Sequence, residues 1–180
     1  MLSYVVPWGR LIHGRGQHHS SLADCTEGKI IPIAELLPIE RVAILRGRTK
    51  QEVIREMVDL LATSPLIENP EELHHAVVER EEILSTGIGL GIAVPHAKVP
   101  SVDDIVAGIA KTEVPIDYGS IDDEPVRIVV MIAAAPDQQD DYIRALATVT
   151  LFLKNNEVRA AIIAAETPQQ IYGLIAKGSE

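Results

Sequence analysis

The spacing of apolar and polar positions changes character several times along the 180-residue chain, and each change marks an element. Residues 33–37 fill one helical turn that Pro38 ends, and Val42, Ile44 and Leu45 follow as a short strand. Thr49-Lys50-Gln51-Glu52 is a capping box, and the helix it opens carries Val53, Ile54, Met57, Leu60 and Leu61 on one stripe. Asn69-Pro70-Glu71-Glu72 opens a second helix with an Asn cap, proline in the first turn and early acids; that helix runs into the alternating charges around Arg80. Ile92, Ala93 and Val94 form a short buried run. Pro95 has no N–H for a ladder, so the pattern predicts that pairing stops there and leaves His96 at the strand's mouth.

Beyond it, residues 105–110 read as a strand and residues 115–125 as turn material. Residues 126–134 are the longest branched run, as expected of a central strand covered on both faces. The helix led by residues 137–141 is expected to bury Ile143, Leu146, Ala147, Thr150 and Leu153. Two more helices follow, near residues 157–165 and after Thr167-Pro168. The alternation of strands and helices predicts an α/β fold, a three-layer sandwich in which a mixed β-sheet has helices on both faces.

Residues 1–28 break this pattern: Gly, His and Ser are dense and no period holds, which reads as a poorly ordered leader ahead of one domain over residues 29–180. His13, His18 and His19 lack a Cys or carboxylate at ligand spacing and read as solvated tail residues rather than a metal site. The net charge of −10 argues against nucleic acid and against an anionic membrane surface as partner. No apolar run reaches the roughly 18 residues of a membrane span, so no membrane insertion is expected. Cys25 is the only cysteine, which makes a reducing cytoplasm the expected compartment.

Candidate chemistry gathers before His96. Ser85 and Thr86 supply hydroxyls, Gly87, Gly89 and Gly91 let backbone approach an anion closely, and Arg80 arrives at the end of the preceding helix. Gly87-x-Gly89-x-Gly91 precedes a strand rather than opening a helix, so it is not a dinucleotide fingerprint. No Gly-x-Ser-x-Gly elbow occurs, and His74-His75, adjacent on a helix, point apart and make no zinc pair. On residue types alone, His96 stays open between a structural histidine and a nucleophile. Arg80 stays open between a solvated helix-end charge and an anion partner.

The run from Ser85 to His96, closing on Ile-Ala-Val-Pro-His and followed by Ala97, resembles the active-site signature of enzyme IIA domains of the fructose and mannitol type in the phosphoenolpyruvate-dependent sugar phosphotransferase system. The nitrogen-regulatory branch, with Ser-Thr-Gly-Ile-Gly and Pro-His-Gly-Lys, is most similar; Ser85-Thr86-Gly87-Ile88-Gly89 and His96-Ala97-Lys98 stand in those places. The resemblance implies a phosphoryl carrier, regulatory in kind, that takes phosphate on His96 from an HPr-like phosphocarrier. It implies a IIB domain or a regulated target protein as the next partner, and a transient phosphohistidine rather than a free-standing enzyme. Arg80, sixteen residues before His96, falls where the family has its phosphate-pairing arginine, and Ser85 and Thr86 become orienting hydroxyls. No metal and no organic cofactor are expected. The family's second histidine, at the start of the helix after the long strand, is Tyr142 here. That departure sets the alternative: a non-catalytic regulatory binding module with the same fold, acting through protein contacts.

Overall fold

Strict alternation along one long strand divides the interior in two. The computed structural model describes residues 31–178, so the expected leader, with His13, His18, His19 and Cys25, lies outside the described residues. The elements are α1 (Ile33–Leu36), β1 (Val42–Leu45), α2 (Lys50–Leu61), α3 (Pro70–Ile83), β2 (Gly87–Gly89) and β3 (Ile92–Ala93). They continue with β4 (His96–Lys98), β5 (Val106–Ile116), β6 (Val126–Ala134), α4 (Gln139–Lys154), α5 (Asn156–Ala164) and α6 (Pro168–Lys177). The sheet runs β1-β5-β6-β3-β2, with β4 also on β6. β1 is parallel to β5, β5 antiparallel to β6, β3 and β4 parallel to β6, and β2 antiparallel to β3.

Val129, Met131 and Ala133 of β6, with Val106 and Ala110 of β5, join the core built by α2 and α3. Their neighbours Ile128, Val130, Ile132 and Ala134, with Ala107 and Ile109, join the core built by α1, α4, α5 and α6. This is the mixed-sheet, three-layer sandwich that the sequence pattern predicts, and β6 is its central strand. The caps form as expected: Thr49 accepts from the Glu52 N–H while the Glu52 carboxylate accepts from the Thr49 N–H. Asn69 and Thr167 cap α3 and α6.

The strand before His96 departs from expectation. Pairing does not stop at Pro95; it pauses and resumes in the same register, with Ala93 opposite Val129 and His96 opposite Ile132. The missing N–H matters little, because the Pro95 carbonyl still accepts from the Ile132 N–H at 3.1 Å. Side-chain parity therefore survives the proline: Ala93 and Ala97 face the α2/α3 core. Ile92 and Val94 face the α4 side, and His96 shares their parity. The glycine-rich lead-in is likewise ordered as β2. It joins β3 through Leu90 and Gly91, both at positive φ (58° and 71°), as a tight two-residue hairpin demands.

Two further differences have simple causes. β5 outruns residues 105–110 because it keeps pairing with β1 to Thr112 and meets β6 again at Ile116, with Pro115 in the irregular stretch between. Helix α4 buries Leu153 as expected, but the rest of its buried row is Tyr142, Ala145 and Val149, one position round from Ile143, Leu146 and Thr150. Both rows are apolar, so spacing alone does not separate them. The row that meets the bulky Ile128, Val130 and Ile132 has small residues at its centre, and Ile143 is left 52% exposed. Val149→Ala is expected to cost about 2 kcal/mol of unfolding free energy in urea titrations, whereas Ile143→Ala stays near about 0.5 kcal/mol.

Candidate functional site

Two clefts meet at His96. One, of about 540 Å³, is walled by Leu84, Ile88, Val94, Ile121 and Leu146, and Arg80, Ser85, Thr86, Gly87, His96 and Thr150 are also among its lining residues. The other, of about 370 Å³, is lined by Arg80, His96, Lys98 and Tyr142 together with Ala76, Glu79, Ile83 and Ala97. Arg80 and His96 belong to both, so four segments distant in sequence converge on one imidazole.

His96 is half-buried. Its Nδ1 lies 2.7 Å from the Val94 carbonyl oxygen, which can only accept, so Nδ1 carries the proton and Nε2 keeps its lone pair. Burial pushes the imidazole below its ordinary value; the Val94 carbonyl opposes this, the Arg80 charge adds to it and Glu81 opposes it. His96 is therefore neutral at pH 7. The Tyr142 ring meets it edge to face, 5.9 Å between centroids. Burial raises the Tyr142 phenol to about 12, against a smaller opposite pull from Arg80, so it is a hydrogen-bond donor and not a proton carrier at neutral pH. Lys98 shares the parity of His96 on β4. Its ammonium sits 5.7 Å from the Tyr142 ring centroid and bonds Gln139 at the start of α4.

Arg80 lies near the end of α3, where one guanidinium N–H donates to the Leu84 carbonyl at 2.9 Å. Residues after the helix are fixed from beneath. The Glu81 carboxylate accepts from the Thr86 N–H at 2.8 Å and from the Thr86 hydroxyl at 2.5 Å, and it pairs with the Lys50 ammonium at 2.7 Å. The Ser85 hydroxyl donates to the Tyr118 carbonyl and accepts from the Gly87 N–H, each at 3.2 Å. Both hydroxyls are thus engaged with protein atoms.

The glycines divide. Gly87 lines the larger cleft and packs on the 118–120 turn: a Cβ there would stand 2.8 Å from Ser120 Cα. Gly89 and Gly91 lie in the β2–β3 hairpin, outside both clefts, where positive φ (88° and 71°) and contacts to Asp122 and Pro125 occupy them. Among the described residues no group of His, Cys, Asp and Glu gathers as a metal site.

Sequence reasoning missed Lys50, Glu81 and Tyr118. The signal was present for Glu81: Leu73, Val77 and Glu81 recur four residues apart on the buried stripe of α3. A carboxylate on an apolar stripe requires a buried partner.

This arrangement is a half-buried, singly protonated histidine with an arginine beside it, at the edge of a mixed sheet, and it defines a small α/β domain whose two clefts meet at one imidazole. Residues 35–178 match the family model described as phosphoenolpyruvate-dependent sugar phosphotransferase system, EIIA 2; the chain belongs to that family. It is 33% identical over 144 residues to the PTS system fructose-specific EIIABC component of Bacillus subtilis, a match covering 79% of this chain and 23% of that protein's length. The fold is shared with the crystal structure of nitrogen regulatory protein IIA-Ntr from Neisseria meningitidis (TM-score 0.72, 19% identity, 79% of this chain and 98% of that one). It is also shared with enzyme IIA mannitol of Escherichia coli in its complex with phosphorylated enzyme IIB mannitol (TM-score 0.65, 24% identity, 77% and 95%). No helix among the described residues is long and apolar enough to cross a membrane.

The Glu81 carboxylate opens a stability prediction. Burial pushes it up, but the Lys50 ammonium and both Thr86 donors outweigh burial and hold it below its ordinary 4.5. A carboxylate lowered on folding stabilises above the unfolded value, and that stability is lost as pH falls through the lowered one. The Tm difference between wild type and Glu81→Gln is therefore expected to be large at pH 7 and to shrink below pH 4.5, followed by thermal melts across pH.

Proposed function

We propose that the chain is a IIA-type phosphoryl carrier, regulatory in kind, in which His96 Nε2 accepts a phosphoryl group from a phosphorylated HPr-like carrier. The observation that carries this reading is the Nδ1–H bond to the Val94 carbonyl, which leaves Nε2 as the free lone pair of a neutral imidazole lining both clefts with Arg80. In the transfer, Nε2 forms the new N–P bond as the donor's N–P bond breaks. The donor imidazole leaves neutral, the Nδ1 proton stays where Val94 holds it, and no proton need be relayed. Arg80 offsets the charge spread over the equatorial oxygens. Tyr142 and Lys98 lie on the second cleft as hydrogen-bond donors.

A IIB domain or a regulated target would take the phosphate onward. The large cleft suits such a partner, since its apolar walls exclude water from the transferring group while leaving His96 reachable. Gly87, Ser85 and Thr86 shape the cleft's floor in this reading, whereas Gly89 and Gly91 serve the hairpin. One domain working in the cytoplasm without metal or organic cofactor completes the proposal.

Incubation with phosphoenolpyruvate, enzyme I and HPr, read by intact mass at alkaline pH, is expected to give an acid-labile phosphoryl adduct on wild type and none on His96→Ala. Labelling of Arg80→Ala is expected to slow by roughly 10²-fold. No adduct on wild type would overturn the carrier reading in favour of a non-catalytic binding module, the reading that Tyr142 in place of a histidine motivates. The rate should be flat above pH 6.5 and fall as pH drops through the lowered value of His96, because only the neutral imidazole accepts phosphate. The check is initial labelling rate against pH.

A further inference from the structure

The ion pair of the partly buried Lys50 and the buried Glu81 lines neither cleft, yet it is joined to His96 by an unbroken series of hydrogen bonds. Lys50 stands in the first turn of α2, where a cation opposes the helix dipole and needs compensation. It finds this in Glu81 at 2.7 Å and in the Tyr118 carbonyl at 2.9 Å, and its ammonium lies 4.5 Å from the Tyr118 ring centroid. Glu81, its side chain 4% exposed, spends its remaining capacity on the N–H and hydroxyl of Thr86. The Thr86 carbonyl in turn accepts from the Val94 N–H at 3.0 Å, and the Val94 carbonyl accepts from His96 Nδ1.

Val94 is the sensitive link. It lies in the two-residue gap between β3 and β4, and its N–H goes to Thr86 while its carbonyl goes to the imidazole. Pro95 beside it has no N–H to lock the peptide from the other side. The direction in which the Val94 carbonyl points thus depends on where Thr86 is held, and Thr86 is held by Glu81.

We propose that the Lys50–Glu81 ion pair is a positioning device for His96: by anchoring Thr86 it fixes the Val94 carbonyl that keeps the proton on Nδ1 and frees Nε2. The inference rests on reading His96 as the phosphoryl acceptor, and it assigns to Lys50 and Glu81 an effect on tautomer rather than contact with phosphate. One hydrogen bond of ordinary strength biases the tautomer ratio by about tenfold.

Long-range ¹H–¹⁵N spectra of the histidine rings, taken where His96 is neutral, read this directly. Wild type is expected to show His96 as the Nδ1–H form, and Glu81→Gln and Lys50→Met to move it to a mixture, losing most of the tenfold bias. Lys50→Arg, which keeps the charge, should restore the wild-type pattern. Phosphoryl labelling should slow in the same variants by up to tenfold through kcat, with KM for the donor unchanged. Should a single variant fail to fold with a lone buried charge, the double variant Lys50→Met with Glu81→Gln removes both charges, and Thr86→Val leaves the pair intact while removing one of the two anchoring bonds. Folded variants that retain the Nδ1–H form in full would overturn the positioning role, whatever wild type does with phosphate. A tautomer shift in a protein that takes no phosphate would uphold it and overturn the carrier reading instead.

Discussion

Everything near His96 depends on one constraint: the strand that carries it keeps its register against β6 across a proline. Ala93 opposite Val129 and His96 opposite Ile132 are positions of a single ladder with a short gap. Because side chains alternate along a strand, preserving register also preserves which face each residue occupies. A slip of one residue would turn His96 toward α2 and α3 and bring Ala97 to the side where Tyr142 waits. The gap supplies what an unbroken strand could not, since the Val94 carbonyl is free to turn to the imidazole two residues on. Regular pairing on either side sets the location, and the irregularity sets the chemistry.

The electrostatics follow the same division. Arg80 and Glu81 are neighbours in sequence and point to different duties: Arg80 lines both clefts, while Glu81 is buried with Lys50 and Thr86. Both act on His96 in opposite senses, the arginine charge lowering and the carboxylate raising its affinity for a proton. Burial decides between them and leaves the ring neutral. Tyr142 fits this setting, because a phenol raised to about 12 neither competes for the proton nor brings a charge beside the imidazole. A second histidine there would titrate near neutrality; the tyrosine makes the site depend on a single titrating ring.

Much of the architecture was legible from local signals. Thr49, Asn69 and Thr167 announce their helices because capping is short-range chemistry between residues two or three apart. The branched run 126–134 announces the central strand because only a strand covered on both faces tolerates so many apolar positions. What stayed hidden depends on distant partners. Spacing does not tell Val149 from Thr150 on α4, since the choice is made by the residues of β6 beneath it. The resumption of pairing at His96 is set by Ile132, thirty-six positions along. The site was legible at His96 and Arg80 because they sit in a short motif. Lys50 was not, for its meaning comes only when α2 and α3 pack side by side.

The sheet's borders carry a last consequence. Its outer strands are β1, of four residues, and β2 and β4, of three each, and the overhang of β5 contains Pro115. None of these margins offers a long row of free N–H and carbonyl groups on which another chain could lie as an added strand. A protein that exposes Leu84, Ile88 and Ile121 in the cleft beside His96 risks promiscuous association. Blunt borders confine that risk to shape: a visitor must match a bowl of side chains, and a merely extended peptide finds no backbone to hold.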